Sequence, residues 1–306
     1  MKIAIIGQQD FGKAALQAFV ARGDEVAVVF CAPDLPGARP DALHMAANEM
    51  GLRVQQFSSL RRSEAAQALR ELDVDLAVMA YVLQFAPQTF LNIPKYGTIQ
   101  YHPSLLPKHR GPSSINWPIA MGATETGLTI FRPTDGLDEG SVILQKKCPI
   151  GPDDTLGDVY FKHLFPSGVA ALLEAADLVV AGNHQPFEQD ETNASYEGWF
   201  RDAESKINWA NSVDQVYNLI RSANPAPGAW CVLSGVKIRL YDCRKHVLRT
   251  FGAARGQPGE ISRLTEHSIF INAQGGQIEV MRLKPDGGQK MNAAEFARGH
   301  KLTTVA

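Results

Sequence analysis

His102 closes the apolar, alternating run GTIQYH. Three prolines and a basic cluster follow it within the nineteen residues IQYHPSLLPKHRGPSSINW, positions 99–117. A histidine that ends a strand of a doubly wound sheet is delivered to the crevice at the carboxyl ends of the strands, where such sheets bind ligands. Pro103 and Pro107 keep the chain after it out of a helix. Further along, DGLDEG places Asp138 in a glycine-flanked turn with three acids in five residues, a density that no turn needs. A histidine and a carboxylate meeting at one crevice suit acyl or formyl transfer. The carboxylate holds the imidazole in its useful tautomer, and the imidazole takes a proton from the attacking group or supports the oxyanion of the tetrahedral intermediate. Gln100 shares the strand face of His102 by the two-residue period, so its amide can donate to the same oxyanion. A Ser104 nucleophile is the competing idea, but it lacks the G-x-S-x-G elbow.

Elements able to position these groups are visible on both sides. KIAIIG, EVAVVFCAP, RVQQF and DLAVMAY read as strands alternating with the helical stretches 11–22, DALHMAANEMG and SEAAQALRELD. That alternation predicts a Rossmann-like, parallel-rich α/β sheet with helices on both faces. GLTIFRPTDGLDEGSVILQKKCPI reads as two strands around a tight Asp/Gly turn. The stretch 153–182 reads as a helix capped by Asp153 or Asp154. The polar segment NHQPFEQDETNASYEGWFR shows no apolar period and reads as a linker. Beyond it, SVDQVYNLIRSA predicts a helix, and short strands between Gly, Asn and Pro turns predict a small OB-like β-barrel. The expected division is a catalytic domain over 1–187, a linker over 188–206 and a β-barrel domain over 207–306.

Composition narrows the classes. The 306 residues carry a net charge of −2, yet 201–306 hold 15 Lys+Arg against 9 Asp+Glu, leaving 1–200 at −8. A mildly basic second half could touch phosphate or nucleic acid. The four cysteines show no metal-ligand spacing, so free thiols and no metal are expected. GQQDFG lacks the second glycine of the dinucleotide fingerprint, which argues against NAD(P). No apolar run of membrane-spanning length is read from the sequence, and the N-terminus resembles no signal peptide, so a cytoplasmic location without membrane contact is expected.

HPSLLPKHRG, GLTIF with DGLDEG, and DLAVMAYVLQFAP together resemble the formyltransferase family that uses 10-formyltetrahydrofolate. SYEGWFRDAESKINW, VYNLIRSANPAPGAW and GVKIRLYD extend the resemblance over nearly the whole chain. They resemble the linker and β-barrel shared by methionyl-tRNA formyltransferase and the hydrolase domain of 10-formyltetrahydrofolate dehydrogenase, and HLFPSG is closer to the latter. The resemblance implies His102 and Asp138 as the catalytic pair, with Gln100 beside them. It also implies a pterin pocket built from backbone groups of Tyr81, Val82, Leu83, Gln84, Phe85, Asp135, Gly136, Leu137 and Asp138. Arg110 would anchor the loop or an anionic acceptor. Formyl transfer from 10-formyltetrahydrofolate to water or to a small thiol or amine is the leading expectation. Transfer to tRNA or another amine ranks below it, because CAPDLPGARPDALH offers only Arg39 against Asp34 and Asp41, and nucleic-acid affinity rests on neutralised phosphates. No DNA partner is expected. A folate-binding module without turnover is the further alternative, against which the presence of both His102 and Asp138 argues. Most transferases of the family have asparagine where this chain has Gln100.

Overall fold

The structure, a computed structural model, describes residues 1–248 and 256–304. The remainder of the expected 207–306 domain lies outside the described residues. Two compact units emerge: residues 1–112, 126–148 and 161–197 form the first, and 113–125, 149–160 and 198–306 the second.

The first unit is built on β1 (Lys2–Gly7), β2 (Glu25–Cys31), β3 (Val54–Gln56), β4 (Leu76–Ala80), β5 (Thr98–His102), β6 (Glu125–Phe131) and β7 (Val142–Pro149). They form one seven-stranded sheet in the order β3-β2-β1-β4-β5-β6-β7. β1 to β5 pair in parallel, and β6 joins β5 antiparallel. The parallel strands read as nearly continuous apolar runs because both faces are covered, and β4 is buried throughout. One face carries a core of Ala4, Ile6, Phe30, Leu69 and Phe90. On the other, Tyr101 stacks on Phe11 at 4.2 Å between centroids and donates to the Leu164 carbonyl. Tyr101 is thereby committed to the helix-covered face, and the two-residue period turns Gln100 and His102 the other way.

Gly7 ends β1 where a Cβ would lie 2.1 Å from the Ala80 carbonyl oxygen. Close strand packing, with no dinucleotide motif required, accounts for that glycine. Three expectations need correction. First, the β6–β7 connection is not a tight turn but a ten-residue loop, 132–141. Second, Thr155 rather than either aspartate caps the helical run after β7, through a capping box with Asp158. Third, the run Leu156–Val180 is long and apolar enough to cross a membrane by length and composition. Counting unbroken apolar residues missed it because Lys162, His163, Glu174 and Asp177 interrupt the pattern. Its segment Phe165–Val180 buries Gly168, Ala171, Leu172, Ala175, Ala176 and Val179, the stripe of a core helix.

The second unit holds β8 (Trp230–Leu233), β9 (Val236–Val247), β10 (Ile261–Leu264), β11 (Ile269–Ala273), β12 (Gly276–Pro285) and β13 (Met291–Asn292). They pair antiparallel in the order β10-β11-β12-β9-β8, with β13 on β12, as a curled, barrel-like sheet. Ile238, Leu240, Ile269, Ile278, Val280 and Leu283 make its core, against which the helix Val213–Ser222 packs Val216, Tyr217 and Ile220. Ser212 caps that helix in a capping box with Gln215.

Candidate active site

β5 carries the first half of the site. Its register sets Gln100 beside Met79 of β4, so the residues after Ala80 leave the sheet level with His102. The loop 132–141 brings the second half: His102 Nδ1 lies 3.7 Å from Asp138 Oδ1, with both side chains at least nine-tenths buried. Asp138 Oδ2 accepts from the Gly111 backbone N–H at 2.8 Å. Asp135 and Glu139 also have partners, the Gln88 N–H at 3.0 Å and the Arg110 guanidinium at 3.8 Å. Each acid of DGLDEG therefore holds part of the edge in place, contrary to the expectation that nothing structural calls for them.

The other imidazole nitrogen, Nε2, lies 2.9 Å from the His109 carbonyl oxygen. A carbonyl only accepts, so Nε2 carries the hydrogen and Nδ1 keeps the free lone pair of the neutral ring. Thus the partner that fixes the tautomer is a backbone carbonyl seven residues on, with Asp138 standing opposite the free nitrogen. His109 belongs to the site, and sequence reasoning passed over it because a carbonyl leaves no mark in residue type. Gln100 is half-buried, and among the described residues its amide has no hydrogen-bond partner. Ser104 is fully buried, with its hydroxyl donated to the Lys108 carbonyl at 2.7 Å, an arrangement that shapes the loop and offers no nucleophile.

Arg110 is 8% exposed. Its Nη1 and Nη2 donate to the Glu191 carboxylate at 2.9 and 2.6 Å, and Nε and Nη2 donate to Gln189 Oε1. Hydrogen bonding to Glu191 raises the already high pKa of Arg110, so the guanidinium stays charged. Gln189 also donates to the carbonyls of Asp138 and Gly140. The polar segment read as a linker thus supplies, in Gln189, Glu191, Ser195 and Glu197, the groups that brace the edge.

Tyr81, Val82, Leu83, Gln84 and Phe85 form the neighbouring wall. Leu83, Phe85 and Leu137 remain 51%, 39% and 55% exposed. Among the described residues, the backbone N–H groups of Val82, Leu83, Gln84 and Phe85 have no protein acceptor. Gln84 donates to the Phe57 carbonyl at 2.8 Å, and Arg61 stacks over Phe85 at 4.2 Å. Asp135, Gly136 and Leu137 lie on the loop that carries Asp138, and Gly136 donates to Thr134 Oγ1. An apolar rim with free amides suits a flat heteroaromatic ligand with polar edges. No group of three or more His, Cys, Asp or Glu able to hold a metal occurs among the described residues.

Known proteins match at every level. Residues 1–175 match the formyl transferase family and residues 200–301 the formyl transferase C-terminal domain. The chain is 32% identical over its full length to mitochondrial 10-formyltetrahydrofolate dehydrogenase of Mus musculus, of which it spans 34%. It is 31% identical to methionyl-tRNA formyltransferase of Syntrophus aciditrophicus, covering 99% of this chain and 97% of that one. The chain thus spans about a third of the dehydrogenase's length and nearly all of the tRNA enzyme's. Among solved structures, HypX from Aquifex aeolicus in complex with tetrahydrofolic acid superposes with a TM-score of 0.69 at 17% identity, over 98% of this chain and 47% of that one. WlaRD, a sugar 3N-formyl transferase, gives 0.69 at 19% identity, over 92% and 97%. On the sequence matches, which span both units, the chain belongs to the formyl transferase family.

Proposed function

We propose that this protein releases the formyl group of 10-formyltetrahydrofolate to water or a small amine or thiol, leaving tetrahydrofolate. The observation that carries the reading is the meeting of His102 Nδ1 and Asp138 Oδ1 across 3.7 Å at a buried strand end. A water placed there can donate one hydrogen to each, which directs its lone pairs at a formyl carbon held over Gln100. The water oxygen bonds to that carbon, Nδ1 takes the proton, and Asp138 supplies the counter-charge to the imidazolium. Gln100, whose amide is free, donates to the developing oxyanion. The C–N bond to N10 then breaks, N10 takes the proton back from the imidazolium, and tetrahydrofolate leaves with formic acid, which gives its proton to solvent as formate. A primary amine also has two hydrogens to offer, whereas a thiol has one. The free amides of residues 82–85 and the loop 135–138 bind the pterin, and Arg110 braces the loop from behind. Neither metal nor NAD(P) takes part in this scheme.

Transfer to tRNA is the second reading, favoured by the relative that matches over nearly its whole length. Several second-unit cations are already paired with carboxylates. Lys237 and Arg239 pair with Asp202, and Lys245 pairs with Asp214. Phosphate contacts would have to compete with those pairs, which ranks water and small acceptors first. The test is product analysis after incubation with 10-formyltetrahydrofolate alone, with small amines or thiols, and with initiator tRNA at low and high salt. Formate without an added acceptor is the expected result. Formylated tRNA as the sole product would replace this reading with the second.

A further inference from the structure

We propose that Glu197 is a positioning residue for His102, acting through His109. The inference deepens the reading of His102 as the proton acceptor and rests on it.

The chain of contacts is continuous. His109 Nδ1–H donates to Glu197 Oε2 at 3.0 Å, Ser195 Oγ donates to Glu197 Oε1 at 3.0 Å, and the His109 backbone N–H donates to Ser195 Oγ at 2.9 Å. Ring and backbone of one residue are thus tied to the same pair of side chains. The Glu197 and His109 side chains are only 14% and 18% exposed, so water competes weakly for their bond. Backbone pairing runs alongside: Ser195 N–H to Pro107, Arg110 N–H to Ser195, and Glu197 N–H to Arg110. Within this clamp His109 holds a left-handed backbone, φ 56°, which a residue with a Cβ keeps only where its surroundings over-determine it. That conformation presents the His109 carbonyl to His102 Nε2.

The consequence follows from the tautomer. If the carbonyl turns away, Nε2 loses its acceptor and the neutral ring can move its hydrogen to Nδ1, where Asp138 would accept it. The lone pair needed to take the proton of water is then lost. Glu197 lies behind the loop, so its removal lowers turnover and leaves folate affinity in place.

The experiment compares Glu197→Ala, Glu197→Gln and Ser195→Ala in the full chain, by steady-state kinetics and by nitrogen-15 NMR of the His102 ring. Glu197→Ala is expected to lower kcat about tenfold or more, with KM for 10-formyltetrahydrofolate within about twofold, and to mix the two ring tautomers. Glu197→Gln keeps an oxygen that can accept from His109 and restores most of the rate. Ser195→Ala removes one leg of the clamp and gives a smaller loss, and it carries the test if Glu197→Ala does not fold. Wild-type kcat and an unchanged Nε2–H tautomer in the variants would overturn the proposal. A wild-type protein without formyl release would instead overturn the functional reading, while the NMR comparison would still decide the role of Glu197.

Discussion

The carboxyl edge of the parallel sheet and the antiparallel sheet of the second unit both contain left-handed residues with side chains, for different reasons. In the second unit, Ser234 with φ 48° precedes Gly235 in the two-residue turn between β8 and β9, and Asp242 with φ 50° lies within β9, whose register against β12 is the same on either side of it. A two-residue hairpin turn needs such a conformation whatever the side chain does. At the edge, Tyr81, His109 and Asp138 are left-handed in loops; His109 presents its carbonyl and Asp138 its carboxylate to His102. The polar groups differ in the same sense. Asp202 is bound to both Lys237 and Arg239, whereas Gln100 has no partner and His102 stands 3.7 Å from its carboxylate. Left-handed loop residues and the unpartnered Gln100 amide gather at the candidate site, braced from the side by the saturated Arg110 network.

The largest effect that would break this contrast is expected at His102. His102→Ala should bring formyl release down by about 10³-fold or more while folate binding by calorimetry stays near wild type, because the imidazole acts mainly in the transition state. Unchanged turnover would remove the edge from the chemistry. Gln100→Ala comes next, with an expected loss of about 2.7–4 kcal/mol in kcat/KM, the scale of one oxyanion donor. Near-wild-type kinetics would make Gln100 a packing residue. Asp138→Asn keeps the contact with Gly111 but removes the counter-charge, and should cost about 10²-fold in kcat.

The smallest effect sharpens the other side of the comparison. Hydrogen bonds from Lys237 and Arg239 hold the Asp202 carboxyl below its usual range. A depressed carboxylate contributes stability that is present above its unfolded pKa, about 3.9, and is lost as pH falls through the lower folded value. Asp202→Asn should therefore lower Tm slightly at neutral pH, by less than about 4 °C for so exposed a group, with the deficit shrinking under acid. Formyl release should not change. A large loss of activity would show that the second unit contributes to the chemistry.

The fold was legible because its signals are periodic: apolar runs alternating with helical stripes for the first unit, and short strands between turn residues for the second. The central pair was legible because His102 ends a strand and Asp138 sits in a dense cluster of acids, although each of those acids proved to have a structural partner. The loop around Asp138 misled because its glycines suggested a tight turn. Gly140, at φ 114°, is required instead for close approach, since a Cβ there would lie 1.9 Å from the Arg132 carbonyl oxygen. The bracing groups were hidden for two reasons. Gln189, Ser195 and Glu197 lie 49 residues or more from the groups they hold, in a stretch without any period. The acceptor that sets the His102 tautomer is a backbone atom.

The most direct measurement is a single turnover of 10-formyltetrahydrofolate in oxygen-18 water with no added acceptor, followed by mass analysis of the formate. The account predicts one labelled oxygen per formate, formed in step with tetrahydrofolate by the wild type and absent with His102→Ala. Intact 10-formyltetrahydrofolate after prolonged incubation, alone and with small amines or thiols, with turnover appearing only when tRNA is supplied, would contradict it.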